Sequence, residues 1–453
     1  MKHNTDTKGK LFLAAGDFLI VYVSLVLACL IRFGAEARFP LCLHRPVLLL
    51  ALFIYPFLFY VFDLYEGIGG ERVRFLIHYI WALGAVVAVI VAFSFIFPYS
   101  IGRGLFLLSF AIVAVLCLAL RAAYAGIRKT AFPPCRTLIV GPGRAVDQVI
   151  KSLWPHPSFE VVGVVNDGAP GEEAAGLEWL GRPEDLEGII GRANVSNIIV
   201  ADDAALDPAV SRTLVALRLA GIRIFDAASF YEHFFMKLPV RIIRDEWFVK
   251  APGFERLAGR TYHRVRRTVD VVIAALALIV FLPLFAVIAV LDKLSGPGPV
   301  FYIQERLGYM RRPFRLIKFR TMVPEAERDG PQWAGENDRR VTRMGRFLRR
   351  TRLDELPQLI NVLKGDMSLI GPRPEREFFV SQLSKDIPYY GLRFFVKPGI
   401  TGWAQIRYRY GSNEKDALEK LRYELYYIKN QSLGLDIRIM LGTLRAMLTG
   451  TGT

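Results

Sequence analysis

The chain has 453 residues, 53% of them hydrophobic, and a net charge of +16. At ~150 residues per domain this length asks for about three cores, and apolar residues gathered into long runs exclude an ordinary water-soluble globule in favour of an integral membrane protein. No helix-turn-helix, zinc-finger or RNA-binding signature accompanies the basic residues, so nucleic acid is excluded as their partner.

Four runs, Leu11–Ile31, Pro46–Tyr65, Phe75–Phe97 and Leu105–Tyr124, approach the ~20 residues a helix needs to cross hydrocarbon. They predict an all-α four-helix transmembrane bundle over residues 1–132. An even number of crossings puts both ends of the bundle on one side. Lys2, Lys8 and Lys10 before the first run, with Arg128, Lys129 and Arg136 after the last, assign that side to the cytoplasm, although Arg32, Arg38 and Arg45 fall in the loop assigned outside. The soluble parts are therefore expected on the cytoplasmic side of the membrane. Asp17, a carboxylate inside the first run, is open between a functional role and bundle packing. The four cysteines, Cys29, Cys42, Cys117 and Cys135, form no disulfide framework or CxxC metal site, which fits a reducing compartment.

From Arg136 the pattern becomes a soluble α/β alternation: "RTLIVGPG", "FEVVGVVND", "VSNIIVAD" and "GIRIFDA" read as buried strands with helical segments between them. A Rossmann-like, doubly wound domain over residues 133–253 is the expected assembly. The turn Gly141-Pro142-Gly143, with Asp167 at the distance of a ribose-binding acid, has Val146 where the fingerprint has its third glycine. It is open between a nucleotide site and a module that keeps the fold without the ligand.

A fifth apolar run, Val271–Leu291, carries Pro283 and has basic residues on both flanks, His263, Arg264, Arg266 and Arg267 before it and a strongly basic stretch after it. Proline deletes a helix hydrogen bond. The pattern therefore predicts a re-entrant helix over residues 269–293 that breaks at Pro283 and returns to the cytoplasmic face.

Between Gln304 and Leu353, fourteen Lys/Arg face six Asp/Glu, a surplus equal to half the net charge. Such a region expects anionic lipid headgroups or phosphorylated small molecules. Next comes "RLDELPQLINVLKGDMSLIGPRPE", Arg352 to Glu375. Pro357 is tolerated only in the first turn of a helix, so a helix should start near Asp354, with Leu356, Leu359, Ile360 and Leu363 on its apolar face and Asp354 at or beside the N-cap, where the dipole favours its ionised form. Taken alone, Asp354 and Glu355 read equally as helix-start residues. Arg349, Arg350, Arg352, Lys318, Arg320 and Arg373 nearby favour a phosphoryl site, in which guanidinium groups hold phosphate oxygens and carboxylates hold Mg²⁺ or attack phosphorus.

The segments "KFRTM", "LDELPQLINVLKGDMSLIGPRP" and "VKPGITGWAQI", following "QERLG", resemble the bacterial sugar transferase family of polyprenyl-phosphate phosphoglycosyl transferases. The preceding bundle and degenerate nucleotide-type module resemble its large branch, which initiates exopolysaccharide or O-antigen assembly. The resemblance implies a mostly α catalytic domain over residues 261–453 and transfer of a hexose-1-phosphate from a UDP-sugar to undecaprenyl phosphate at the lipid bilayer. It further implies release of UMP and a requirement for Mg²⁺. Asp354 matches the nucleophile that forms a covalent phosphosugar intermediate, and Glu355 the second acid of the pair, with both as metal candidates. Arg349 and Arg373 match phosphate-contacting arginines, and Lys318 and Arg320 a basic motif near the site. At "DRRVT", Arg339 stands where many members have proline.

Downstream, "NEKDALEKLRYELYYIKN" has Leu418, Leu421, Leu425 and Ile428 on one stripe, and "DIRIMLGTLRAML" reads as a helix lying on the membrane or packed on a neighbour. Arg407 and Arg409 are candidates to face the sugar nucleotide, and a homodimer is the expected assembly. Two other classes compete: a membrane-anchored nucleotide-sugar oxidoreductase or epimerase, for which a complete glycine fingerprint and a Tyr-x-x-x-Lys pair are missing, and a non-enzymatic polysaccharide scaffold.

Overall fold

The computed structural model describes residues 2–34, 45–65, 72–96, 103–131, 134–141, 146, 149, 159–166, 177–201, 207–255, 259–296, 298–323, 330, 338–408 and 413–449. The chain divides into two compact units, Met1–Pro134 and Cys135–Thr453.

Among the described residues the first unit has four helices: α1 (Lys2–Phe33), α2 (Arg45–Val61), α3 (Arg72–Ile96) and α4 (Arg103–Ala131). α1, α3 and α4 each hold a stretch long and apolar enough to cross a membrane, Gly9–Phe33, Phe75–Phe93 and Gly104–Ile127. α2 is shorter than its apolar run: its 17 residues, with Pro56 inside, rise about 26 Å, at the lower limit for a span. Leu13, Val21, Phe59, Val86, Val113 and Cys117 form the buried seam. Asp17 proves to be part of that packing. Arg121 on α4 grips it with both terminal nitrogens, each at 2.8 Å, and Tyr65 donates to it at 2.6 Å. The Arg121 guanidinium also stacks 4.6 Å from the Phe59 ring centre.

The second unit opens with a parallel sheet. Strands β1 (Cys135–Val140), β2 (Phe159–Val165) and β3 (Trp179–Gly181) are followed by α5 (Leu186–Ala193), β4 (Asn197–Val200), α6 (Pro208–Leu219) and β5 (Arg223–Asp226), in the spatial order β3-β2-β1-β4-β5. Every strand pair is parallel, and continuous apolar runs such as Leu138-Ile139-Val140 suit a sheet covered on both faces. Pro142, Gly143 and Asp167 lie outside the described residues; Val146 is fully buried.

After α7 (Ala227–Phe235), capped by Asp226, the chain leaves the sheet. Met236, Leu238, Val240 and Ile243 then join one core with Phe379, Leu383, Trp403, Leu421, Leu425 and Ile428. The stretch that sequence assigns to the tail of the sheet domain therefore packs into the C-terminal core, and Trp403 Nε1 donates to the Met236 carbonyl at 2.9 Å. A short α8 (Asp245–Lys250) leads on to α9 (Arg260–Leu294).

α9 is one continuous 35-residue helix through Pro283, so the expected break there is absent. Proline removes one hydrogen bond, whereas the side chains before and after it pack on the same protein body. Ala274, Ala277 and Leu278 meet Leu316, Leu359 and Val362; Leu284, Phe285 and Ile288 meet Phe319, Leu348 and Leu356. The opposite face exposes Leu276, Ile279, Val280, Leu282, Val287 and Val290.

The rest of the unit carries the hairpin β6 (Phe301–Leu307) and β7 (Pro313–Phe319), helices α10 (Arg343–Thr351) and α11 (Gln358–Lys364), and strand β8 (Ser368–Ile370). It ends with α12 (Glu377–Asp386), strand β9 (Gly399–Thr401), a short α13 (Trp403–Arg407), α14 (Glu414–Lys429) and α15 (Leu433–Thr449). The predicted stripe Leu418, Leu421, Leu425 and Ile428 of α14 is buried in the core, while α15 buries Ile439 and exposes Leu433, Ile437, Leu444 and Met447.

Candidate functional site

The acid pair sits where α10 hands over to α11. Thr342 caps α10, its hydroxyl accepting from the Gly345 amide at 2.9 Å, and Gly345 is required because a Cβ there would collide with the Thr321 backbone. α10 stops at Arg352, whose left-handed backbone (φ +56°) turns the chain sharply; a long side chain there is uncommon and costs free energy. A 3-10 turn, Leu353–Glu355, follows, and α11 begins only at Gln358.

Asp354 is thus not the N-cap of α11, as the sequence suggests, but lies within the preceding turn. Pro357 has no N–H to donate, and the bonds around it are of the tighter kind: Glu355 N to Arg352 O, Leu356 N to Leu353 O and Ile360 N to Pro357 O. The α ladder can start only beyond the proline.

Asp354 and Glu355 are both buried, each 7% exposed. Glu355 Oε1 accepts from Arg373 Nη2 at 2.5 Å and faces Lys318 Nζ at 3.5 Å. Burial alone would raise the Glu355 pKa, but Arg373 and Lys318 more than offset it and hold the carboxyl well below its usual range. Asp354 moves the other way. Burial, then the charge of Glu355, pushes it up to about 6, against the opposing pull of Lys318, Arg373 and Arg349. The expectation that a helix terminus would depress Asp354 is overturned, since burial and the neighbouring Glu355 charge outweigh the groups that favour its ionised form. Burial also lowers the pKa of Lys318.

Four of the predicted basic residues, Lys318, Arg349, Arg352 and Arg373, therefore act on the acid pair. Arg349 is oriented by the Thr321 hydroxyl, to which its Nε donates at 2.9 Å. Arg320 has a different place: it is buried, donates to the carbonyls of Asp292 (2.8 Å) and Gly296 (3.1 Å), and lies 3.5 Å from the Asp292 carboxylate. It fastens the C-terminal end of α9. Arg407 is exposed and stacks on Trp403, 4.8 Å from the ring centre, and Arg409 lies outside the described residues.

Sequence reading missed the groups that hold the cluster together. Asn361, fully buried, accepts from the Ile317 amide at 3.1 Å and donates to the Arg315 carbonyl at 2.7 Å, locking α11 to the strand that carries Lys318. Arg267 of α9 donates to the carbonyls of Val362 and Leu363 at the end of α11, and Asp270 accepts the Leu369 amide at 3.1 Å. Arg266 donates to Ser368 and Ile370, so α9 grips β8, from which the Arg373 turn departs. A polar residue inside an apolar helical pattern was the available signal for Asn361.

Among the described residues no group of three or more His, Cys, Asp or Glu could hold a metal. Two adjacent carboxylates nevertheless suit Mg²⁺, which takes one or two carboxylates and completes its shell with water and substrate phosphates.

Residues 261–450 match the family described as bacterial sugar transferase, and residues 61–225 match a CoA-binding domain. The chain is 32% identical over 442 residues to the UDP-glucose:undecaprenyl-phosphate glucose-1-phosphate transferase of Escherichia coli (strain K12), covering 94% of this chain and 92% of the relative. It is 49% identical over 196 residues to the UDP-N-acetylgalactosamine-undecaprenyl-phosphate N-acetylgalactosaminephosphotransferase of Aeromonas hydrophila, covering 43% of this chain and 46% of that relative. A UDP-glucose:undecaprenyl-phosphate glucose-1-phosphate transferase of Xanthomonas campestris pv. campestris is 34% identical over 330 residues, 68% of this chain and 65% of the relative.

Proposed function

The chain belongs to the bacterial sugar transferase family, and on that footing we propose that it transfers a hexose-1-phosphate from a UDP-sugar to undecaprenyl phosphate through a covalent intermediate on Asp354. The observation that carries this reading is the splitting of the acid pair. Glu355 is held ionised by Arg373 and Lys318, while Asp354 keeps a pKa of about 6. A carboxylate of ordinary acidity is a feeble nucleophile; one at about 6 is more basic yet still about nine-tenths ionised at pH 7.

In the first half-reaction an Asp354 oxygen attacks the phosphorus that bears the sugar, and the bond from that phosphorus to the bridging oxygen breaks, releasing UMP. In the second, a phosphate oxygen of undecaprenyl phosphate attacks the same phosphorus and Asp354 leaves as carboxylate, giving undecaprenyl-diphospho-sugar. Arg349, Arg373 and Lys318 hold phosphate oxygens and stabilise the charge that develops on the leaving group. Asp354 and Glu355 are the residues that would hold Mg²⁺, whose chemistry there is charge neutralisation of the diphosphate.

The acceptor is a lipid, so the site must lie at headgroup depth. Asp270 and Asp292 are 22 residues apart on α9, about 33 Å of helix and close to the thickness of a hydrocarbon core. Both ends engage the same body, through Leu369 and Arg320. A helix crossing the bilayer would carry its ends to opposite sides, so this packing supports a membrane-embedded helix that enters and stays on one face, the cytoplasmic one by the charge distribution. The strand order of the sheet supports a Rossmann-like module.

The test is to incubate detergent-solubilised protein with undecaprenyl phosphate, Mg²⁺ and a panel of UDP-sugars and to measure UMP. Release that depends on Asp354 is the expected result; an intact protein that releases none with any donor defeats the reading.

A further inference from the structure

Four successive backbone carbonyls of the turn that presents Arg373 are each taken by a separate donor. Pro372 O accepts from Gly399 N at 2.9 Å, Arg373 O from Arg393 Nη2 at 2.9 Å, Pro374 O from Arg306 Nη1 at 3.3 Å and Glu375 O from Leu307 N at 2.9 Å. Two of these donors are amides of the neighbouring strands β9 and β6, which the fold supplies in any case. Arg306 lies on β6 beside Glu375, at 3.4 Å.

Arg393 is different in kind. It is a buried cation within the apolar core, beside Tyr390 and Phe394, and its charge is matched by Glu424 of α14, also buried, at 2.8 Å. Nη1 donates to the Tyr390 hydroxyl at 2.6 Å, while Nη2 serves both Glu424 and the Arg373 carbonyl. Desolvating two ions costs several kcal/mol each, and an apolar pair of the same volume often stabilises a core as well or better. Stability alone therefore gives little reason for this pair. Nη2 also reaches the backbone of Arg373, whose side chain closes on Glu355.

We propose that the buried Arg393–Glu424 pair is a positioning device for Arg373, fixing the Arg373 carbonyl so that its guanidinium stays on Glu355 Oε1 through both half-reactions. The inference rests on the transferase reading above. Planarity is what makes the device work: a lysine could keep its charge against Glu424 but could not serve three acceptors in the plane of a fork.

The consequence is a coupling at a distance: whatever Arg393 and Glu424 contribute to the reaction passes through Arg373.

The experiment measures UMP release by full-length, detergent-solubilised Arg393→Lys and Glu424→Gln, each alone and combined with Arg373→Ala, beside the unaltered protein and Arg373→Ala. The expected result is a fall in kcat of about 10- to 100-fold in the single variants and no further fall when either is added to Arg373→Ala, because a group that acts through Arg373 then has nothing left to position. A purely structural role would lower activity by the same factor with and without Arg373, and that outcome overturns the proposal. If both variants fail to fold, Tyr390→Phe, which removes only the acceptor for Nη1, is to show a smaller loss that likewise disappears beside Arg373→Ala, and additive losses there count equally against the device. No UMP from the unaltered protein defeats the transferase reading instead, whereas an active protein whose variants lose nothing, or lose additively with Arg373→Ala, defeats the positioning role alone.

Discussion

Arg373 Nη2 stands 2.5 Å from Glu355 Oε1, and this contact separates two adjacent acids into unlike roles. The arginine takes Glu355 as its partner and holds it ionised, while Asp354 next door is raised by burial first and by the Glu355 charge second, against the opposing pull of Lys318 and Arg373. On the proposed transferase reading, the acid left more basic is the nucleophile.

On the proposed reading, Asp354→Asn removes the attacking carboxylate and keeps the shape. UMP release is expected to fall by about a thousandfold or more, with an unaltered circular dichroism spectrum. The ionised Asp354 is also a cost to the fold, because its pKa is raised above the ordinary carboxylate value: the penalty is absent below pH ~4, grows through the window up to about 6, and is complete above it. The variant is therefore expected to melt higher than the parent at pH 8, by up to about 3 kcal/mol, and the difference should vanish near pH 4. A lower melting point at pH 8 would show that Asp354 is not held at a cost.

Activity that needs ionised Asp354 should drop by half near pH 6. Glu355→Gln removes the like charge that helps to raise Asp354, so the acidic limb of its residual activity should move to lower pH. A limb that rises or stays would reject the division of roles between the two acids.

Arg320→Ala separates two readings of a basic residue. Arg320 pairs with buried Asp292 at the end of α9, and leaving that carboxylate unpaired is expected to cost about 3–5 kcal/mol. Thermal unfolding in detergent should shift accordingly, while the KM for the UDP-sugar in protein that remains folded stays within about twofold of the parent. A large rise in KM with normal stability would return Arg320 to phosphate binding.

Asp17 and Arg121 are buried together in the first unit. Asp17→Ala alone is expected to destabilise that bundle by about 3–5 kcal/mol, whereas Asp17→Leu with Arg121→Leu should come within about 1 kcal/mol of the parent. Limited proteolysis across a temperature series measures both, and equal loss in the single and double variants would contradict the pairing account.

Much of this was readable from the chain. Apolar runs give the helices because hydrocarbon admits little else, continuous Val/Ile/Leu runs give the parallel strands, and the acid pair among cations gives the site. These signals are local, since each depends on residue type and spacing. Pro357 was read correctly as a helix-start residue, but the start was set a few residues too early, because only the hydrogen-bond ladder shows which carbonyls go without a donor.

The sequence alone determined which chemistry was present: a pair of carboxylates, a cluster of guanidinium groups and enough apolar helix to keep them at a membrane. Tertiary structure alone decided which acid Arg373 holds ionised and which is left more basic, that Arg320 holds α9 rather than joining the cluster, and that Pro283 leaves α9 continuous. The physical reason is that pKa and partner choice depend on burial and on distances through space, where Arg373 meets Glu355 across 18 positions of chain, and no periodicity in the sequence encodes that meeting.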